Sequence, residues 1–377
     1  MLQLTKLLSD LVACPSITPN DAKCQQILIN ILQQWKYNIT LLPHQETHNF
    51  WATPATNPAP RFIYAGHTDV VSVGNINEWR FPPFSLNTDE GLVYGRGVAD
   101  MKGSITAMMV ALEKFRIDFP EQANDIGFLI TSAEEGPAEQ GTPIVLDYLN
   151  EQGIHFDWCL VGEPTCDKRL GDTIKNGRRG SLSGKLLING KQGHIAYPHL
   201  ANNPIHLLAP LLYELTNVQW DQGNDYFQPT QMQISNIHAG TGAGNVIPGQ
   251  LEMLFNFRYS PCVTAIALMQ KTEQLLQKFN LSYQLEWTHY GEPFLTTPGT
   301  LIDCLTSAIK QVCDITPTLS TTGGTSDARY IAKTGAQVVE FGLCNATIHQ
   351  INEHVAMHDI PLLSDIYYTL CKNLLVR

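Results

Sequence analysis

No two of the nine cysteines in the 377-residue chain stand in a CxxC spacing, and no regular cysteine framework is present. The odd count and the length fit reduced thiols rather than a disulfide scaffold. Basic residues are scarce: 24 Lys and Arg face 35 Asp and Glu, a net charge of −11. That balance argues against a nucleic-acid partner, which would need a basic face. It also means that an anionic substrate must be held by locally placed Arg or Lys. The uncharged stretch from Gln192 to Tyr213 carries three histidines, two adjacent asparagines and three prolines, so it does not suit a bilayer. The N-terminus lacks a signal-peptide pattern. Lys6 and Asp10 interrupt it, and Leu4, Leu7, Leu8 and Leu11 fall at helical spacing, which predicts an amphipathic helix. Repeats and low-complexity segments are also missing. The expectation is a cytoplasmic protein with no membrane association.

What remains is a globular composition, 44% apolar and 16% charged, in a chain long enough for two domains. Four short apolar runs read as strands: RFIYAG (61–66), DIGFLIT (125–131), DWCLVG (157–162) and QVVEFG (337–342). Helical patterns such as SITAMMVALEKF (104–115) lie between them. Alternating strands and helices predict an α/β domain, a mainly parallel mixed sheet flanked by helices. The middle reads differently: strand 181–189, helix 204–216, strands 230–237 and 250–259, helix 264–279 and strand 281–288. That β-α-β-β-α-β order is ferredoxin-like α+β. The expected organisation is therefore a domain of residues 1–179 and 293–377 with an insert of residues 180–292.

Each predicted α/β strand leads to a candidate metal ligand: His67 in GHTDVV, Glu134 and Glu135 in TSAEEG, Glu163 in GEP, and His349 in NATIHQINEH. Asp100, in YGRGVADMKGS, precedes a helix. Ligands gather at the carboxyl ends of parallel strands, so separate segments would deliver these groups to one crevice. Zinc accepts imidazole nitrogen and carboxylate oxygen, and a catalytic site keeps a position open for water. Two His and three acids would give each of two zincs one His, one terminal acid and a share of a bridging acid. Such a pair polarises a carbonyl and activates water. Glu134, the spare member of the EE pair, is then free to move a proton to the leaving amine. Asp69 is placed to accept the second N–H of His67 and fix its tautomer. Singly each reading has a plain alternative: a structural His, a solvated EE, an N-cap Asp. The combination is far more specific.

Together these motifs resemble the M20 family of metallo-aminoacyl hydrolases over essentially the whole chain, with KNGRRGS (175–181), QGHIAYPH (192–199), NIHAGTGAGNVIP (236–248) and TGGTSDAR (322–329) adding to the likeness. The resemblance implies two Zn²⁺ per subunit, with Co²⁺ able to substitute. His67, Asp100 and Glu163 would hold one ion, and Asp100, Glu135 and His349 the other, with Asp100 as the bridge. Glu134 would be general base and acid, and Asp69 the residue that orients His67. It implies cleavage of the amide of a small N-succinyl amino acid carrying three carboxylates. Lys175, Arg178, Arg179, Arg258 and Arg329 are available for these, Arg178 and Arg258 foremost, with Ser181, Tyr197, Gly324, Thr325 and Asn345 as further contacts. It also implies a homodimer, the insert acting as dimerisation domain and lending His194, with Asn245, to the partner's site as oxyanion donors. An N-acetylornithine deacetylase or dipeptidase of the same family is the rival expectation. An inactive metal-binding interaction protein on the same fold is another, against which the retention of Glu134 and the full ligand set argues. GTGAG (240–244) is followed by a strand rather than a helix, so it is not a dinucleotide loop.

Overall fold

The computed structural model describes residues 2–376. Every apolar run named above forms a strand, because a short, uninterrupted apolar run is stable only where both faces are covered. Phe62–His67, Ile126–Thr131 and Trp158–Val161 are buried at every position, and Gln337–Glu340 at all but the first. These four lie side by side and parallel in an eight-stranded mixed sheet. Its order is Tyr37–Leu41, Asn49–Pro54, Ile126–Thr131, Phe62–His67, Trp158–Val161, Gln337–Glu340, Thr173–Lys175 and Thr318–Ser320. The strands on one flank, and the contact of Gln337–Glu340 with Thr173–Lys175, are antiparallel. The helix Gly103–Asp118 is apolar on nearly every side and accordingly buried, packed against Asp359–Leu375. The N-terminal helix spans Leu4–Val12 and buries Leu7, Leu8, Leu11 and Val12.

The chain divides into two compact units. The first comprises Met1–Gly177, Leu295–Ser320 and Ser326–Arg377; the second comprises Arg178–Phe294 with the short segment Thr321–Thr325. That returning segment, which includes Gly324 and Thr325, had no place in an insert of residues 180–292. The second unit is a four-stranded antiparallel sheet ordered Gln231–Ala239, Gln250–Tyr259, Gly180–Asn189 and Tyr283–Gly291. Helices Pro204–Asn217 and Ala265–Lys278 accompany it. The last strand lies beside the first, and the third separates the first from the second, the ferredoxin-like order. A separate core of Leu182, Leu186, Leu211, Phe255, Phe257 and Leu268 fills it. Among the described residues all nine cysteines are free, and no helix is long and apolar enough to cross a membrane.

Candidate active site

His67 is the last residue of its strand and is buried, so the backbone fixes where its ring can go. Its Nδ1 lies 2.9 Å from the carbonyl oxygen of Asp69 and 3.5 Å from that residue's Oδ1. The ring nitrogen thus faces both the main chain and the carboxylate of Asp69. The closer acceptor is the Asp69 main chain, while the Asp69 carboxylate accepts the backbone N–H groups of Glu134 at 3.3 Å and Glu135 at 3.0 Å. A fully buried carboxylate needs such donors, and here they are the amides of the two glutamates that follow the neighbouring strand. Asp69 therefore registers the EE pair against His67.

Glu163 follows the Trp158–Val161 strand, and its carbonyl oxygen would lie only 2.5 Å from a Cβ placed on Gly342, so only glycine permits this approach of the two segments. Asp100 sits in an irregular turn ahead of helix Gly103–Asp118, after Gly97, whose φ of +87° lies in the left-handed region. His349 occupies the loop between strands Gln337–Glu340 and His354–Ala356, also with a positive φ, +61°. For a residue with a Cβ that conformation is uncommon, and it clusters at functional sites.

These side chains converge. Asp100 presents Oδ1 to His67 Nε2 at 3.2 Å and Oδ2 to His349 Nε2 at 3.4 Å. Glu163 Oε1 is 3.7 Å from His67 Nε2, and Glu135 Oε1 is 2.9 Å from His349 Nε2. Donor atoms of His67, Glu134 and Glu163 also lie within 4.8 Å of one another. A small tetrahedral ion with bonds of ~2.1 Å sets its donors ~3.4 Å apart, so the observed separations suit metal binding by these residues. The electrostatics agree. Burial alone would lower the pKa of His67, but the Asp100 and Asp69 groups outweigh it and raise it well above the usual imidazole value. Hydrogen bonds to Asp100 and Glu135 raise His349 to about 10. Burial pushes the Glu134 carboxyl up, and Glu163 beside it adds to the effect. So many acids in one place draw in positive charge, as protons or as metal ions.

Of the expected substrate contacts, Lys175, Arg329 and Asn345 belong to the first unit. Lys175 is buried and donates from Nζ to Ser320 Oγ at 2.9 Å. The second unit carries the others. Arg178 donates to the Thr322 carbonyl at 3.0 Å, and its Nη1 would be 2.5 Å from a Cβ on Gly323, so that glycine, at φ +102°, admits the guanidinium. Ser181 stands directly opposite Arg258 across paired strands, and its Oγ accepts from Asn256 at 3.1 Å. Burial lowers both Arg179 and Arg258, and the charge of Arg258 lowers Arg179 further, so like charges are held close. His194 and Asn245 lie on one exposed ribbon: His194 pairs with Val246, and Ile195 donates to the Asn245 carbonyl at 3.0 Å. Tyr197 is exposed and stacks at a tilt on His194, with centroids 5.6 Å apart.

Sequence reasoning missed Arg96 and Glu353, a buried ion pair at 2.8 Å whose acid also accepts the backbone amides around Asp100. It also missed Asp327, buried and held by Thr142 Oγ1 at 2.7 Å, which burial raises to about 6. Arg96 lies inside the YGRGVADMKGS motif and Asp327 inside TGGTSDAR, so motif membership was their only available signal.

The site is that of a metallohydrolase, and the chain belongs to the family described as Peptidase family M20/M25/M40, whose model matches residues 63–373. It is 52% identical over 371 residues, 98% of this chain and 97% of the relative, to a Hahella chejuensis protein named succinyl-diaminopimelate desuccinylase. Its fold is similar to that of an M20 family metallo-carboxypeptidase from Sulfolobus solfataricus, at TM-score 0.80 and 17% identity over the whole of both chains. It is also similar to that of a Bacillus subtilis protein described as a dinuclear metal binding peptidase of the M20 family, at TM-score 0.72 and 15% identity, covering 99% and 97% of the two chains.

A pH test follows from the imidazoles. Their raised folded-state pKa means that the charged form is favoured by folding. In metal-free protein that contribution is fully present below the unfolded value of ~6.5 and is lost as pH rises through the folded value of His349, about 10. The melting temperature of metal-free protein should fall between pH 7 and 10, and His349→Ala should flatten the fall. Identical pH profiles would remove this imidazole as its source.

Proposed function

We propose that the chain is a succinyl-diaminopimelate desuccinylase. It hydrolyses the amide bond of N-succinyl-LL-2,6-diaminopimelate to succinate and LL-2,6-diaminopimelate, in lysine and diaminopimelate biosynthesis. The observation that carries this is the 52% identity, over 98% of the chain, to a protein of that name. The free thiols and the acidic surface favour the cytoplasm as its place of work.

The metal is zinc, two ions per subunit, with cobalt able to replace it: imidazole and carboxylate donors in tetrahedral spacing suit both. His67, Asp100 and Glu163 would hold one ion, and His349, Asp100 and Glu135 the other. When bound, the ions supply positive charge that polarises the scissile carbonyl and acidifies a water. The chain's own residues do the rest. Glu134, beside His67 and Glu163, takes a proton from the attacking water. Its burial raises the carboxyl above the usual carboxylate range, which favours the protonated form, and it then gives that proton to the departing amine nitrogen. Asp69 holds the Glu134 amide and so limits how far that carboxyl can swing. Arg178 and Arg258 recognise substrate carboxylates by the bidentate fork. Lys175, Arg179, Ser181, Gly324, Thr325 and Asn345 serve as further contacts.

An N-succinyl substrate should outpace its N-acetyl counterpart by orders of magnitude, because an acyl group without its carboxylate leaves the guanidinium unpaired. Chelation should abolish the rate and Zn²⁺ or Co²⁺ restore it. Faster cleavage of N-acetylornithine would favour the deacetylase reading. Glu134→Gln should retain both metals in elemental analysis while turnover falls roughly 10²- to 10⁴-fold. Near-normal turnover in that metal-loaded protein would take the proton transfer away from Glu134.

The protein works as a homodimer in which His194 and Asn245 stabilise the developing oxyanion in the partner's site. In support, the ribbon that carries both is exposed, Ile195, Tyr197, Leu200, Tyr213 and Ile237 of the same unit are exposed apolar side chains, and the strand Gln231–Ala239 is a sheet edge. Complementation decides the matter. His194→Ala and Glu134→Gln proteins, each nearly inactive, should regain activity as mixed dimers. If verified mixed dimers stay as inactive as their parents, the shared site is wrong.

A further inference from the structure

The Arg96–Glu353 pair is buried, at 2% and 1% exposure, and makes more contacts than an ion pair needs. Glu353 Oε2 accepts from Arg96 Nη1 at 2.8 Å and from the Gly97 amide at 2.9 Å. Its Oε1 accepts from the amides of Ala99 at 2.8 Å and Asp100 at 3.2 Å. One carboxylate thus satisfies three main-chain donors of the irregular turn that ends in Asp100. The same guanidinium donates from Nη2 to the carbonyl of Ser72, at 3.1 Å, on the segment leading away from His67. The backbone of Glu353 joins in, since its carbonyl accepts the Gly95 amide at 3.1 Å. The strand that follows, His354–Ala356, pairs with Leu92–Tyr94, with His354 opposite Tyr94. On the other side, Thr347 Oγ1 donates to the His354 carbonyl at 2.6 Å and accepts the His354 amide at 3.0 Å, closing the loop that carries His349. Three ligand-bearing segments, those of His67, Asp100 and His349, therefore meet at this one pair.

We infer that Glu353, held by Arg96, is a positioning residue that sets the Asp100 carboxylate between the two metal positions and fixes its turn to the His349 loop. The inference rests on the two-metal reading of the site. A turn without regular secondary structure has unpaired amides, and an anion that gathers them defines its shape. Groups that orient metal ligands carry much of a site's affinity. Glu353→Gln keeps the volume but turns one acceptor into an amide NH2 group that faces N–H donors. Arg96→Lys keeps the charge and leaves Glu353's amide bonds in place while removing the fork to Ser72.

The experiment compares wild type, Glu353→Gln, Arg96→Lys and, as a stability control far from the site, Tyr37→Phe, which loses a buried hydrogen bond to the Ile126 carbonyl. Zinc affinity is read by competition with a chromophoric chelator, coordination by the visible spectrum of the cobalt-loaded proteins, and folding by thermal melting. Kinetics on the succinylated substrate add the split between kcat and KM. Glu353→Gln should bind zinc about 10- to 100-fold more weakly, shift the cobalt bands and lose kcat with KM little changed. Tyr37→Phe should melt earlier with unaltered affinity and bands. If Glu353→Gln does not fold, Arg96→Lys carries the test, with a smaller weakening and a band shift of the same sense. Wild-type affinity and spectra in a folded Glu353→Gln protein, or in Arg96→Lys where it alone folds, would overturn the inference. A wild type that binds no metal would instead overturn the two-metal reading on which it stands.

Discussion

The constraint on which the site depends is the repulsion among its acids. Asp69, Asp100, Glu134, Glu135 and Glu163 converge around two imidazoles, and two unit charges ~4 Å apart repel by roughly 4 kcal/mol at the effective dielectric of a protein surface. The chain does not relieve this by spreading the acids out. It anchors the carboxylates that need not react, giving Asp69 the amides of Glu134 and Glu135, and Glu353 the amides of Gly97, Ala99 and Asp100. Asp100, Glu135 and Glu163 are left to face the two imidazoles. Deleting one partner of the Arg96–Glu353 pair would leave a buried charge uncompensated, at a cost of about 3–5 kcal/mol.

Much of this was legible in the sequence because it was local. The four buried strands are short apolar runs, and the residues that follow them are the donors of the cluster. The ferredoxin-like insert announced itself by alternating periods, and its strands and helices agree with the structure to within a few residues. What was illegible was non-local. Arg96 and Glu353 are 257 residues apart, and neither has a pattern of its own that distinguishes a buried anchor from a surface charge. That the Asp69 carboxylate also accepts the amides of the EE pair is of the same kind. Alternation puts residues 67 and 69 on one side, but it does not say which acceptor atom, carbonyl or carboxylate, the ring will meet. The return of Thr321–Thr325 to the second unit was hidden likewise, since a glycine-rich loop declares flexibility and not destination.

The second unit owes its character to asymmetry. Its sheet is filled on one side by Phe255, Phe257, Leu182 and Leu186, while the edge strand Gln231–Ala239 is largely exposed. Cations there are concentrated where strands enter: Arg178 and Arg179 lead into Gly180–Asn189, and Arg258 closes the strand beside it. In a chain of net charge −11, that grouping is a local reversal of sign, which is what recognition of an acidic small molecule requires.

The order of the strands sets the order in which the protein can be made. Gln337–Glu340 lies inside the first unit's sheet, between Trp158–Val161 and Thr173–Lys175, and His349 and Glu353 follow it. On the ribosome, where chains emerge N-terminus first, the second unit's residues 178–294 are all available before this strand is synthesised. The nascent first unit must therefore wait with a gap in its sheet. His349, and Glu353 with its bonds to the amides of Gly97, Ala99 and Asp100, are made only after that strand. A chain cut before Gln337 consequently has neither a closed sheet in its first unit nor the acid that gathers the amides around Asp100, so the turn at Asp100 can take its final shape only after a segment more than two hundred residues further along has been made.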